Sequence, residues 1–110
     1  MSDVASLGEF EHVVLLAVLR LGESAYAVPI RDEIERRTGR RVSRGSVYVT
    51  LDRLETKGYL RSWLADPTAE RGGRAKRFYG LRPRAVSALK ENRRALIEMW
   101  RGLDEVLGRA

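Results

Sequence analysis

Hydrophobic residues recur along the first half of the chain at spacings typical of helices. From position 8 to 21 almost every residue is apolar, whereas positions 26–38 and 43–57 each carry one narrow apolar stripe at three- and four-residue steps. A glycine follows each segment, where it can adopt the left-handed conformation that ends helices. The pattern therefore predicts helices over 8–21, 26–38 and 43–57, the third beginning after an N-cap at Ser43.

The pattern then changes to a period of two. Leu60, Ser62 and Leu64 alternate with the residues between them, which predicts a strand. A turn region with Pro67 follows, and a second apolar and aromatic strand begins at position 75. Residues 59–81 are therefore predicted to form a β-hairpin.

A last helix is predicted from Pro83 to Leu107, because proline is favoured at the first position of a helix. Its apolar residues follow a coiled-coil-like stripe, and about 25 residues give a rod of roughly 37 Å, longer than the core before it. The first helix is apolar on all sides, so it also needs cover from a second chain. The residues predicted to mediate dimerisation are Phe10, Val14, Leu89, Leu96, Trp100, Leu103 and Leu107.

Three helices, a hairpin and a long helix make a mainly α fold with a small β-hairpin. Two helices joined by a short connection and followed by a hairpin predict a winged helix-turn-helix. We therefore expect a winged helix-turn-helix domain over residues 1–82, with helix 43–57 as its recognition helix and 59–81 as its wing. Residues 83–110 are expected to form a C-terminal dimerisation helix.

Charge and composition narrow the function. The net charge is +6, and positions 31–84 hold fifteen basic and seven acidic residues, which favours a polyanionic partner such as nucleic acid. The chain has no cysteine and a single histidine, so we predict no metal, no cofactor and no enzymatic activity. The longest apolar run has seven residues, far short of a membrane span of about 20. A soluble, cytoplasmic protein without membrane contact is expected.

Two stretches resemble PadR-type transcriptional regulators: 47–60, from Val47 to Leu60, and 71–79, from Arg71 to Tyr79. The opening from Leu7 to Gly22, with Ala25-Tyr26 after it, resembles the same family. The resemblance implies a bacterial or archaeal regulator, usually a homodimeric repressor. Because one helix follows the wing, the chain resembles the short subfamily with a single C-terminal dimerisation helix.

The exposed face of the recognition helix is predicted to enter the major groove, with the basic wing on phosphates or the minor groove. A twofold dimer then predicts a palindromic operator. Tyr48 has core packing as its alternative role, and Trp63 has no assigned role. The predicted DNA-binding residues are Ser43, Arg44, Ser46, Tyr48, Val49, Thr50, Arg53, Lys57, Arg71, Gly72, Gly73, Arg74, Lys76 and Arg77.

The resemblance also implies a regulatory site. Some short members of the family place an aromatic residue of the last helix beside a cleft between subunits, where flat ligands bind. Trp100 is the matching candidate contact for a small aromatic or hydrophobic effector, with plain interface packing as its alternative. The competing function is a winged helix that serves only protein contacts, without specific DNA binding.

Overall fold

The computed structural model describes residues 7–65 and 75–108. Helices α1, α2 and α3 come first, an antiparallel hairpin of strands β1 and β2 follows, and helices α4 and α5 end the described chain. The fold is mostly helical with one two-stranded sheet, which confirms the predicted fold class. The elements are α1 Glu9–Leu21, α2 Ala27–Thr38, α3 Arg44–Thr56, β1 Leu60–Leu64, β2 Arg77–Leu81, α4 Pro83–Trp100 and α5 Asp104–Leu107.

Local signals set the ends of the first three helices. The backbone N–H of Ser46 donates to the Ser43 hydroxyl over 3.1 Å, so Ser43 is the N-cap of α3 as expected. Gly39 ends α2 in the left-handed region, with φ of 73°. At the start of α1, the Gly8 N–H donates to the Glu11 carboxylate over 3.0 Å, which satisfies a backbone donor that the helix leaves free.

One hydrophobic core joins all the elements up to the first turns of α4. The apolar stripes predicted for α2 and α3 are buried in it, and both tyrosines of the hairpin base lie there. Removing this apolar surface from water is the main stabilising contribution to the fold. The fully buried large side chains are Val14, Leu15, Val18, Ile30, Val47, Leu51, Leu54, Tyr59 and Leu60.

The hairpin is joined to the helices by backbone pairing. Strands β1 and β2 are antiparallel with Ser62 opposite Tyr79, and the Tyr79 N–H donates to the Ala25 carbonyl over 2.9 Å. A further isolated bridge pairs Tyr26 with Phe78. The connection between α1 and α2 therefore lies along the open edge of β2, and it fixes the hairpin relative to both helices.

The last helix projects beyond the core and is shorter than predicted. Ala85, Ala88 and Leu89 of α4 are buried, but every described residue after Asn92 is exposed. The predicted continuous helix to Leu107 is wrong, because α4 stops at Trp100 and the short α5 begins at Asp104. Gly102 adopts φ of 83° between them, a conformation that breaks a helix.

The helices were also compared with the length and hydropathy of a membrane span. Within residues 7–65 and 75–108, none of them is both long and apolar enough to cross a bilayer.

Candidate nucleic-acid interface

The connection between α2 and α3 is held by hydrogen bonds to both backbone groups of Val42. The Arg31 Nε donates to the Val42 carbonyl over 2.8 Å, and the Val42 N–H donates to the Glu35 carboxylate over 2.7 Å. The side chain of Val42 is itself buried. Side chains of α2 thus satisfy both backbone polar groups of Val42, and the core covers its apolar side chain. These contacts fix where α3 begins relative to α2.

Helix α3 presents a polar and aliphatic face to solvent. Ser43 and Ser46 share a hydrogen bond of 2.8 Å between their hydroxyls at its N-terminus. Val49 is 56% exposed and lies on the same outer surface. Arg53 is exposed one turn further on, and within the described part of the chain no carboxylate lies within ion-pair distance of it. These side chains are therefore available to a partner.

Two other residues at this helix bear on the predicted interface. Arg44 is exposed in the first turn, where free N–H groups also attract anions. Tyr48 is half-exposed rather than packed in the core, which answers the alternative left open by the sequence.

Thr50 does not belong to the exposed face. Only 5% of it is accessible, because it lies between Val47 and Leu54 on the side of α3 that faces the core. The prediction that Thr50 contacts DNA is therefore corrected. Threonine is small enough to fit beside the apolar stripe, so its polar character gave a misleading signal.

Lys57 at the end of α3 is engaged by α1. Its Nζ donates to the Glu11 carboxylate over 2.8 Å, across 46 residues of sequence. Burial acts to raise the pKa of Glu11, but the hydrogen bonds from Lys57 and from the Gly8 N–H, together with the positive charges of Lys57 and Arg53, outweigh it and leave the pKa below its ordinary value. The predicted DNA contact by Lys57 therefore competes with an ion pair inside the chain.

A relay of hydrogen bonds connects the hairpin to α3. The Arg77 guanidinium donates to the Ser62 hydroxyl over 2.9 Å, and that hydroxyl donates to the Glu55 carboxylate over 2.7 Å. Arg77 remains exposed at its end of β2. The relay aligns the basic edge of the hairpin with the recognition helix.

The other face of the hairpin carries a row of rings between two cations. The Arg61 guanidinium lies 4.6 Å from the Trp63 ring, and Trp63 stacks on Phe78 with centroids 6.3 Å apart. Phe78 contacts Tyr26 at 5.2 Å, and the Lys76 ammonium lies 4.6 Å from the Tyr26 ring. Trp63 thus braces the hairpin, and Lys76 keeps a fixed position at its edge.

Four predicted wing residues, Arg71, Gly72, Gly73 and Arg74, lie outside the described residues. Two basic residues that the prediction omitted are exposed near the interface. Arg41 lies in the connection just before α3, and Arg61 lies on β1. The excess of basic residues over 31–84 included both, but charge alone did not indicate which side chains share a face.

A second, apolar surface lies between α1 and the projecting α4. It forms a groove of about 570 Å³, here called the α1–α4 groove, in which Leu96 and Trp100 are about half-exposed. Lys90 and Arg93 add positive charge to its wall. The groove is lined by His12, Leu16, Leu19, Leu89, Lys90, Arg93, Leu96, Ile97 and Trp100.

The predicted dimerisation residues divide between this surface and the core. Val14 is fully buried in its own chain, and Leu89 is 8% exposed, so both are corrected from partner contacts to core residues. Phe10 is partly buried against the same core. Four predicted residues do remain exposed on α4, α5 and the turn between them: Leu96, Trp100, Leu103 and Leu107.

The prediction omitted Leu16, Leu19 and Ile97, although all three are exposed on the walls of the α1–α4 groove. A helix that is apolar on every side gives no periodic signal to separate its core face from its exposed face. The packing of α1 against α2, α3 and β2 makes that separation.

Comparison with known proteins agrees with this fold. The model of the PadR-like family of transcriptional regulators matches residues 15–91. The transcriptional regulator Rv3488 of Mycobacterium tuberculosis is 47% identical over 72 residues, which cover 66% of this chain and 61% of the relative. The chain therefore spans less than two thirds of that relative's length.

Solved structures give the same fold at low identity. A PadR-like transcriptional regulator from Bacillus cereus is 17% identical with a TM-score of 0.72, covering 89% of this chain and 90% of the other. A PadR family transcription regulator from Clostridium difficile is 18% identical with a TM-score of 0.63, covering 91% and 96%. At these identities the likeness shows a shared fold alone.

Proposed function

The chain belongs to the PadR-like family of transcriptional regulators, and from this premise we propose that it is a sequence-specific double-stranded DNA-binding protein. We propose further that it acts as a homodimeric repressor on a palindromic operator. The observation that carries the proposal is the exposed face of α3, held next to the basic hairpin by the relay from Arg77 to Glu55. An exposed helix face beside a basic hairpin has the shape and charge that a DNA groove and its phosphates require.

Each exposed side chain has a chemical role in this proposal. The Arg53 guanidinium offers two parallel donors to the acceptors of a guanine, and Val49 offers a methyl contact to thymine. Ser43 and Arg44 meet a phosphate at the N-terminus of α3, where the helix dipole favours negative charge. Ser46 and Tyr48 supply hydroxyl groups along the same edge.

The hairpin contributes affinity rather than sequence reading. Lys76 and Arg77 lie at its basic edge, and contacts of this kind are mostly electrostatic and depend on salt. Arg71, Gly72, Gly73 and Arg74 lie outside the described residues, and their contacts with DNA stay a prediction from the sequence.

Dimerisation is proposed to occur through the α1–α4 groove and the exposed apolar residues of α4 and α5. Several large apolar side chains exposed together are typical of an interaction surface. Two chains related by a twofold axis would present two α3 helices to one face of the duplex. The half-sites are then expected about one turn of DNA apart.

The test is fluorescence anisotropy with a labelled fragment from upstream of the gene. Binding at least about 10³-fold tighter than to a scrambled fragment supports specific recognition. Equal and weak binding to both fragments contradicts it and favours the alternative of a winged helix that contacts only proteins.

Arg53→Ala is expected to weaken specific binding by roughly 10- to 100-fold, as for the loss of one bidentate base contact. Arg53→Lys tests the geometry, because it keeps the charge and loses the paired donors. Arg94→Ala is the matched control, since Arg94 is an exposed arginine on α4 that pairs with Glu91. An equal loss for the Arg53 and Arg94 variants would mean that only total charge matters.

We also propose that a small aromatic or hydrophobic effector binds beside Trp100 in the α1–α4 groove and releases the operator. Trp63→Phe leaves Trp100 as the single tryptophan, so its fluorescence reports this groove alone. Quenching by an aromatic compound that does not intercalate into DNA, such as an anionic naphthalene sulfonate, together with release of the DNA fragment, is expected. Quenching that leaves DNA binding unchanged would contradict a regulatory role.

Repression is tested with a reporter gene placed behind the same upstream fragment. Expression is expected to fall when the protein is supplied and to recover with the Arg53→Ala variant. A rise in expression on supplying the protein would identify an activator instead.

A further inference from the structure

We propose that Glu11 acts as an internal counterion that withholds Lys57 from DNA and so restrains non-specific binding. This inference rests on the proposed DNA-binding function and concerns the C-terminal end of the recognition helix. It makes Lys57 a positioning residue, and it makes Glu11 a residue that lowers the sequence-independent part of the affinity for DNA. The lysine that the sequence predicts as a DNA contact is then held inside the chain.

Both oxygens of the Glu11 carboxylate are used inside the chain. One accepts from the Gly8 N–H at 3.0 Å and caps α1, and the other accepts from the Lys57 Nζ at 2.8 Å. Only 10% of the Glu11 side chain is accessible, against 46% for Lys57. The carboxylate end of the ion pair is therefore mostly buried, whereas its lysine end is open to water.

Burial of the Glu11 carboxylate makes it unfavourable for Lys57 to leave Glu11 and pair with a phosphate instead. If the Lys57 ammonium moved to a phosphate, the mostly buried Glu11 carboxylate would keep one hydrogen bond and the attraction of Arg53, and it would lose its direct ion pair, which is unfavourable. An exposed pair has no such penalty, because water solvates both ions after separation. The chain offers this comparison two residues away, where Glu9 pairs with Arg40 over 2.7 Å and both side chains are more than half exposed.

A lysine that stays paired adds no counterion release on DNA binding. Each phosphate neutralised by a free cation steepens the dependence of log K on log salt by about 0.9, and this term is the same for every sequence. Releasing Lys57 would therefore raise affinity for any DNA, whereas holding it leaves recognition to side chains such as Arg53. Lys57 also joins the end of α3 to α1 through this ion pair.

The experiment compares the salt dependence of binding to a scrambled duplex for five proteins. They are the wild type, Glu11→Gln, Lys57→Gln, the double variant of Glu11 and Lys57, and Glu9→Gln, which is the matched control for the loss of one negative charge. Glutamine keeps the shape of Glu11 and its acceptor for the Gly8 N–H. Thermal unfolding followed by circular dichroism verifies that each protein is folded at the assay temperature.

Glu11→Gln releases two lysines per dimer, so it is expected to steepen the slope of log K against log salt by about 1.8. Between 50 and 200 mM salt, the affinity of this variant is therefore expected to fall by a factor roughly 12-fold larger than the affinity of the wild type. Glu9→Gln is expected to change the slope by much less, and Lys57→Gln and the double variant to stay near the wild-type slope. The ratio of specific to scrambled affinity is expected to stay near the wild-type value for Glu11→Gln, because the released lysine strengthens binding to every sequence by the same factor.

Two results would overturn the inference. A slope that becomes shallower by about 0.9 per chain in Lys57→Gln would mean that Lys57 already contacts phosphate. Equal slopes for the Glu11 and Glu9 variants would mean that only the general charge counts. Failure of the wild type to bind any duplex overturns the proposed function as well, and it is recognised because no variant then shows a salt slope.

Discussion

Replacing Leu96 by alanine gives a direct test of the proposed dimer surface. Leu96 is 52% exposed in the single chain, so about half of its side chain remains to be buried by a partner. Full burial of a leucine contributes roughly 2 kcal/mol, which leaves about 1 kcal/mol per chain and about 2 kcal/mol per dimer for this residue. The dissociation constant of the dimer is therefore expected to rise roughly 30-fold in Leu96→Ala.

Sedimentation equilibrium over a range of protein concentrations measures this constant. Leu64→Ala is the matched control, because Leu64 is 59% exposed on the hairpin, outside the α1–α4 groove. The reasoning is refuted if Leu96→Ala changes the constant less than about twofold, or if Leu64→Ala weakens the dimer equally. A wild-type protein that stays monomeric at every concentration would refute the dimer itself.

Three further predictions concern stability, measured by urea unfolding. Gly39→Ala should destabilise the chain by roughly 1 kcal/mol, because Gly39 has φ of 73°. Gly45→Ala should be neutral or stabilising, because Gly45 lies in helix α3 with open space around it. The reverse order of stabilities would contradict the role of Gly39 as the C-cap of α2. Ser43→Ala should cost about 1 kcal/mol through loss of the α3 N-cap, and no loss would mean that water replaces the hydroxyl. Folding lowers the pKa of Glu11, so its charge stabilises the chain at pH values above the ordinary pKa of 4.5, and this stabilisation is lost as the pH falls through the pKa of the folded state. Glu11→Gln should therefore lose less stability on acidification than the wild type. Parallel profiles of stability against pH for the two proteins would contradict this.

Periodic and local signals in the sequence were sufficient to identify the fold. The apolar stripe of Val47, Leu51 and Leu54 is buried as expected, and glycines follow the helices where predicted. The resemblance to the PadR family and the expectation of a regulator rather than an enzyme are both confirmed by the family match. These features depend on residues that are close together in the sequence, so they can be predicted from a single sequence.

The errors came from features that depend on three-dimensional contacts or on a single backbone angle. Thr50 is polar but lies next to the core stripe, and Val14 is one of many apolar residues on a helix without a polar face. The pairing of Lys57 with Glu11 joins residues that are distant in sequence, and no local pattern signals it. Gly102 ends α4 within an otherwise regular apolar stripe, where glycine is tolerated in other helices.

The relay from Arg77 through Ser62 to Glu55 has a consequence for how such a protein diversifies. It joins the hairpin and α3 through side-chain hydrogen bonds, so we expect the two parts to move on DNA as one body. Under the proposed function, substitutions on the outer face of α3 alter which bases are preferred. Substitutions along α4 instead alter the distance and angle between two such bodies, and hence the spacing of the half-sites. Base preference and half-site spacing are thus encoded in separate parts of the chain, and each can change during evolution while the other is conserved.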